Sequence, residues 1–178
     1  MQDITYYLNA FAVNFPAIQG LILVLGFLLG LYFVVSGFVE SNKSKRSQSG
    51  EGTGLATAKI IFGSLMCAVI GLSDTLSYTV FMADANPQMI TAYTPATGTK
   101  LQQVAKVVFS FLALYGWFAY LKGCWEGIGG VAKREFGWGM KVARLWGAAI
   151  IATNFTVALD TFGVSVGSIA VGSRYFSF

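Results

Sequence analysis

The sequence has no histidine, two cysteines and three prolines, and only 11% of its 178 residues are charged. Without histidine there is no Ser-His-Asp triad, no Cys-His dyad and no imidazole ligand for a metal. Cys67 and Cys124 are far apart and lack CxxC spacing. They read as small apolar fillers, with a disulfide or metal pair as the lesser alternative. No GxxxxGK[ST] phosphate loop occurs. Gly127, Gly129 and Gly130 follow no strand, so they make a very weak dinucleotide loop. Charge is the most informative shortage, because soluble domains carry about 25% charged residues. Here 55% of residues are hydrophobic and the net charge is +4. The lysines and arginines stand between long apolar runs, which points to a bilayer and the positive-inside rule rather than to nucleic acid. The expected class is a single integral membrane domain, all-α, over residues 1–178.

Four apolar runs define four expected transmembrane helices. The first, Pro16–Val39, is 24 residues without a charge, or about 36 Å of helix. Its fifteen Leu, Ile, Val and Phe residues favour insertion by roughly 5–9 kcal/mol. With no Lys or Arg before it, the run does not read as a signal peptide. Glu40–Gly54 is polar and small and reads as a solvated loop. The second helix is expected over Leu55–Met82, the third over Leu101–Leu121 and the fourth over Val142–Val164. Between the last two, Gly123–Lys141 is Gly-rich with Trp125, Phe136 and Trp138 among its charges. It reads as an interfacial turn with its rings at headgroup depth. The result is two tandem helical hairpins: 1–82 with an outer N-terminal segment, and 101–178 with an outer C-terminal tail. An outer loop, 83–100, joins them.

Counting basic residues sets the expected topology. Lys43, Lys45, Arg46, Lys59, Lys122, Lys133, Arg134, Lys141 and Arg144 lie around the two hairpin loops, whereas the other side has only Lys100, Lys106 and Arg174. That asymmetry places both loops in the cytoplasm and both termini outside. Eight of the first set (Lys43, Lys45, Arg46, Lys59, Lys133, Arg134, Lys141 and Arg144) are expected to meet anionic lipid headgroups or to line a lumen. Each contributes about 1 kcal/mol near a charged surface. No other cofactor is expected.

Asp74 and Asp160 lie inside the second and fourth runs. A central Asp costs roughly 2.5–3.5 kcal/mol on the insertion scale, which cancels much of what the run gains. An ion pair with a residue such as Lys106, an assembly contact, or a proton or ion pathway are the readings for this pair. Gly26 and Gly30 form a GxxxG in the first helix and are expected to allow close helix packing.

The halves repeat weakly. Leu29-Gly30-Leu31-Tyr32 matches Leu112-Ala113-Leu114-Tyr115, Ala58-Lys59 matches Ala143-Arg144, and Asp74-Thr75 matches Asp160-Thr161. Each half, two apolar helices around a short basic loop, resembles the pilin of type IV secretion and conjugation systems. The whole chain is similar to the small membrane subunits of type IVB systems, the IcmC/DotE and TraQ group, although two hairpins in one chain depart from the usual pilin. The resemblance implies a non-enzymatic structural subunit in the bacterial inner membrane with periplasmic termini, or in an extracellular pilus. It implies phospholipid, copies of the same chain and other apparatus proteins as partners, with nucleic acid or protein as transient cargo. The alternative is a small four-helix transporter or ion channel using Asp74 and Asp160.

Overall fold

The computed structural model describes residues 4–46, 52–81, 100–155 and 157–159, and every element among them is a helix. These are α1 (Ile4–Ala12), α2 (Phe15–Arg46), α3 (Thr53–Cys67), α4 (Val69–Phe81), α5 (Lys100–Ala132) and α6 (Trp138–Thr153). Two helices are long and apolar enough to cross a membrane, Tyr6–Lys45 and Gln103–Ala132, and α3 with α4 makes a third if the bent pair counts as one span. The expected outer loop 83–100 lies outside the described residues except for Lys100, which opens α5, and so do residues 160–164 of the expected fourth helix and the tail 165–178.

α2 packs against α3 and α5 against α6 as two hairpins, while α5 also touches α1, α2, α3 and α4 and so forms the hub. Three apolar clusters run along the bundle. Phe33, Ala58, Phe62, Met66, Cys124, Ile128 and Val142 pack near both hairpin turns. Val69, Trp117, Tyr120, Ala149 and Ile150 follow, and Ala12, Phe15, Val107 and Leu114 close the far end. Most of the outward surface is also apolar, with Leu21, Val24, Leu28, Leu31, Val35 and Phe38 exposed along α2. Large exposed apolar surface of this kind is what lipid or a partner covers.

The helices depart from the sequence reading in three places. α2 does not stop at Val39: Glu40–Arg46 continues the helix, because the segment holds no Pro or Gly. The cations of its last turns also complement the negative end of the helix dipole. α5 runs through the Gly-rich stretch to Ala132, so only residues 133–137 turn. The glycines stay helical because large rings occupy the space of their missing side chains. A Cβ on Gly123 would meet the Trp146 indole at 2.5 Å, and one on Gly127 or Gly130 would collide with the Phe62 ring or the Trp138 side chain. Burial of those rings outweighs the helix-propensity deficit of about 1 kcal/mol per Gly.

The third departure is the expected straight helix over Leu55–Met82. It breaks at Ala68, and α3 and α4 meet at 84°. Ser64 donates its hydroxyl to the Ile60 carbonyl one turn earlier, a back-bond that bends helices. The β-branched Val69-Ile70 pair and Gly71 then follow, and all three are weak helix formers. The bend turns α4 across α5 and α6.

Candidate functional site

The basic residues gather at one end of the bundle. Lys43, Lys45 and Arg46 lie in the last turns of α2, Lys59 on α3, Lys133 and Arg134 in the α5–α6 turn, and Lys141 and Arg144 on α6. Leu55 and Ala58, just after the first turn, pack in the same cluster as Ile128, Val131, Trp138 and Val142 around the second. Both turns therefore share that end. Lys43, Lys45, Lys133, Arg134, Lys141 and Arg144 are exposed. Among the described side chains, Lys59 and Lys141 hold carboxylates of their own chain. Lys59 donates to Glu40 Oε1 at 2.6 Å across the α2–α3 interface, and Lys141 donates to Glu135 across the turn. The Lys141 ammonium beside it holds the Glu135 carboxyl below its ordinary range, and the carboxylate in turn raises Lys141.

The α5–α6 turn is built around a left-handed residue. Glu135 N–H donates to the Gly130 carbonyl and Arg134 N–H to the Val131 carbonyl, the paired bonds of a Schellman cap. That motif places Arg134 at φ 52°, a position where glycine is usual because a Cβ is strained there. Phe136 follows, fully exposed at the tip. The turn therefore presents a cation and a bare ring side by side, as a residue cluster at a headgroup boundary does.

A groove of about 560 Å³ runs between α2 and α5, lined by Gly26, Leu29, Phe118, Leu121, Lys122 and Trp125 among others. Its volume lies within the ~300–1,000 Å³ of small-molecule sites. Gly26 and Gly30 have different neighbours. The nearest atoms to a Cβ on Gly26 belong to the Leu121 side chain, at 2.6 Å, whereas one on Gly30 would meet the Gly63 carbonyl oxygen at 2.6 Å, the Cys67 sulfur at 2.8 Å and the Cys67 nitrogen at 2.9 Å.

Asp74 lies exposed on α4 and makes no ion pair among the described residues, while Lys106 is half-buried on α5. Asp160 lies outside the described residues. The repeat has a geometric counterpart: Gly30 and Ala113 are buried, and Tyr32 and Tyr115, two residues on, are exposed.

Next to Asp74 stands a polar cluster that the sequence reading missed. Ser73 and Ser77 on α4, Tyr120 on α5, Thr153 at the end of α6 and its cap Asn154 are all 0–2% exposed. Asn154 Nδ2 donates to Ser77 Oγ at 2.7 Å, to Thr153 Oγ1 at 3.1 Å and to the Ile150 carbonyl at 3.1 Å. Thr153 donates to the Ala149 carbonyl at 2.9 Å. The Tyr120 hydroxyl faces Ser73, Ser77 and Thr153 without hydrogen-bond geometry to any of them. Ser73 Oγ, Tyr120 OH and Asn154 Oδ1 are buried with no partner, each at a cost of about 1–3 kcal/mol. One trace of this was legible: Ser73 and Ser77, four residues apart on one helix face.

No family model matches the chain, and no curated protein or solved structure matches it.

Proposed function

We propose that the protein is a non-enzymatic structural subunit of a type IV secretion or conjugation apparatus of the IVB kind. In this reading it is a pilin-like membrane protein that assembles with its own copies and with anionic phospholipid. The observation that carries the reading is the convergence of both basic turns at one end of an otherwise apolar bundle. The chain crosses the inner membrane four times as two hairpins. α3 and α4 form one bent span, and α6 opens the fourth. The basic end faces the cytoplasm or a lumen, and both termini are periplasmic. The attribution to a secretion apparatus rests on the resemblance of each hairpin to a pilin and of the whole chain to the IVB subunits.

Charge and shape favour lipid at this end. Lys59 and Lys141 are engaged by Glu40 and Glu135, whereas Lys43, Lys45, Lys133, Arg134 and Arg144 are exposed. Each such cation contributes about 1 kcal/mol of attraction to an anionic surface. An acyl chain in the apolar α2–α5 groove, whose lining also includes Lys122 and Glu126, would bring its phosphate to Lys122. The apolar outer face of α2 supplies the contact between copies.

The test replaces Lys43, Lys45, Lys133 and Arg134 together by Gln and measures phospholipid retained after mild detergent extraction, by native mass spectrometry. The expected result is loss of bound anionic lipid with an unchanged helical circular-dichroism spectrum. Unchanged retention would refute the headgroup role.

A further inference from the structure

We propose that Ser73, Ser77, Tyr120, Thr153 and Asn154 form an intramembrane binding site for a monovalent alkali cation, held by neutral side-chain oxygens. This goes beyond the structural role above; it rests on the membrane-spanning reading of α4 and α6 but not on the secretion role. Five polar side chains from three helices meet where none is more than 2% exposed. The Ile150 carbonyl can only accept a hydrogen bond, so it fixes the orientation of the Asn154 amide: Nδ2 faces Ile150, Ser77 and Thr153. Oδ1 is left without a partner, as are Ser73 Oγ and Tyr120 OH. Thr153 directs its proton to the Ala149 carbonyl, which turns its oxygen lone pairs toward the cluster, where Asn154 Nδ2 takes one of them.

The surroundings select the sign of the ligand. α6 is interrupted at Asn154, and helical backbone resumes at residue 155 and over 157–159. Asp74, beside Ser73, adds a negative field at Tyr120. Among the described residues no Asp, Glu, His or Cys group is clustered as a ligand set for a metal ion. The oxygens of the cluster are all uncharged, and divalent ions take carboxylate oxygens. A singly charged ion fits this combination of negative field and neutral donors.

The backbone around the cluster has the form that such sites take in membranes. α3 and α4 are broken at Ala68, and Val69, at the start of α4, packs on Trp117, Tyr120, Ala149 and Ile150. Ser73 follows one turn later. α6 breaks at Asn154 on the opposite side of the same cluster. Interrupted helices at membrane depth occur where backbone is buried in protein or lines a cavity, and they hold ions in many transporters.

The test uses the full chain purified in detergent, with thermal unfolding followed in NaCl, KCl and choline chloride at equal ionic strength. The expected result is a higher midpoint in NaCl or KCl than in choline, rising with salt concentration as site-specific binding requires. Ser73→Ala, which removes one unpartnered oxygen and little volume, is expected to weaken apparent ion affinity at least about tenfold while keeping the choline midpoint. Asn154→Leu is expected to abolish the response. Should that variant not fold, Ser73→Ala and a Tyr120→Phe variant still decide the matter. Equal midpoints of the native protein in all three salts would overturn the site. An alkali-specific shift that survives both Ser73→Ala and Tyr120→Phe would do the same.

Discussion

The crossing of α2 over α3 is the contact whose energetics the structure specifies best. Gly30 and Gly63 meet backbone to backbone. A Cβ on Gly30 would lie 2.6 Å from the Gly63 oxygen and 2.9 Å from the Cys67 nitrogen, and a Cβ on Gly63 would lie 2.8 Å from the Gly30 oxygen. Ordinary contact needs roughly 3.5 Å, so a methyl group at either site forces the helices apart by close to an ångström. The Cys67 sulfur, 2.8 Å from a Gly30 Cβ, can rotate aside, but the backbone atoms cannot. Overpacking costs about 1–3 kcal/mol, against about 1 kcal/mol gained from replacing Gly by Ala inside a helix. Gly30→Ala and Gly63→Ala are each expected to destabilise by up to about 2 kcal/mol. Gly26→Ala is expected to cost less, because only the end of Leu121 must move. Gly20 and Gly71 are controls with nothing within 4 Å of a Cβ, so their Ala variants are expected to gain about 0.4–1 kcal/mol. The double variant Gly30→Ala with Gly63→Ala is expected to cost less than the sum, since one separation of the helices accommodates both methyls. Reversible unfolding in mixed micelles, followed by circular dichroism, measures the series. A Gly30→Ala protein as stable as the Gly20→Ala control would refute the close crossing.

Three further predictions concern the basic end. Arg134→Gly is expected to stabilise the protein by about 0.5–1 kcal/mol by relieving the left-handed strain, while Arg134→Ala gains nothing; the same unfolding assay separates them. Lys59→Met strands the partly buried Glu40, whose Oε2 already lacks a partner, and is expected to cost about 1–2 kcal/mol. Adding Glu40→Gln is expected to restore most of that loss in a double-mutant cycle. Because Lys141 lowers the Glu135 carboxyl, the stability of this pair is complete above the carboxyl's unfolded value near 4.5. It is lost as pH falls through the lower folded value. Carboxyl NMR titration of Glu135 is expected to move upward in Lys141→Met, and an unmoved titration would refute the pairing.

The parts of this fold that were legible in the sequence are those set by local composition. The uncharged run from Pro16 to Val39 makes α2 long and apolar enough to span a membrane on its own content, and the basic residues cluster around two turns because the chain between them is apolar. Features decided by partners far along the chain were not legible. Gly123, Gly127 and Gly130 look like turn residues until Trp146, Phe62 and Trp138 occupy the space beside them. The bend at Ala68 has a weak local signal, yet its 84° depends on α4 seating Ser73 and Ser77 against α5 and α6. Asp74 drew notice for its charge, but it is exposed, whereas its neighbour Ser73 is fully buried. Neutral hydroxyls at helical spacing carry little signal alone, and their meaning here comes from Asn154, 77 residues from Ser77. Gly26 and Gly30 read as one motif but face different helices.

Electron microscopy of the mild-detergent extract, with quantitative mass spectrometry of its lipid, tests the central claim most directly. The account predicts filaments or large rings that hold anionic phospholipid in fixed ratio to protein. Monomers or small dimers free of bound lipid would contradict it.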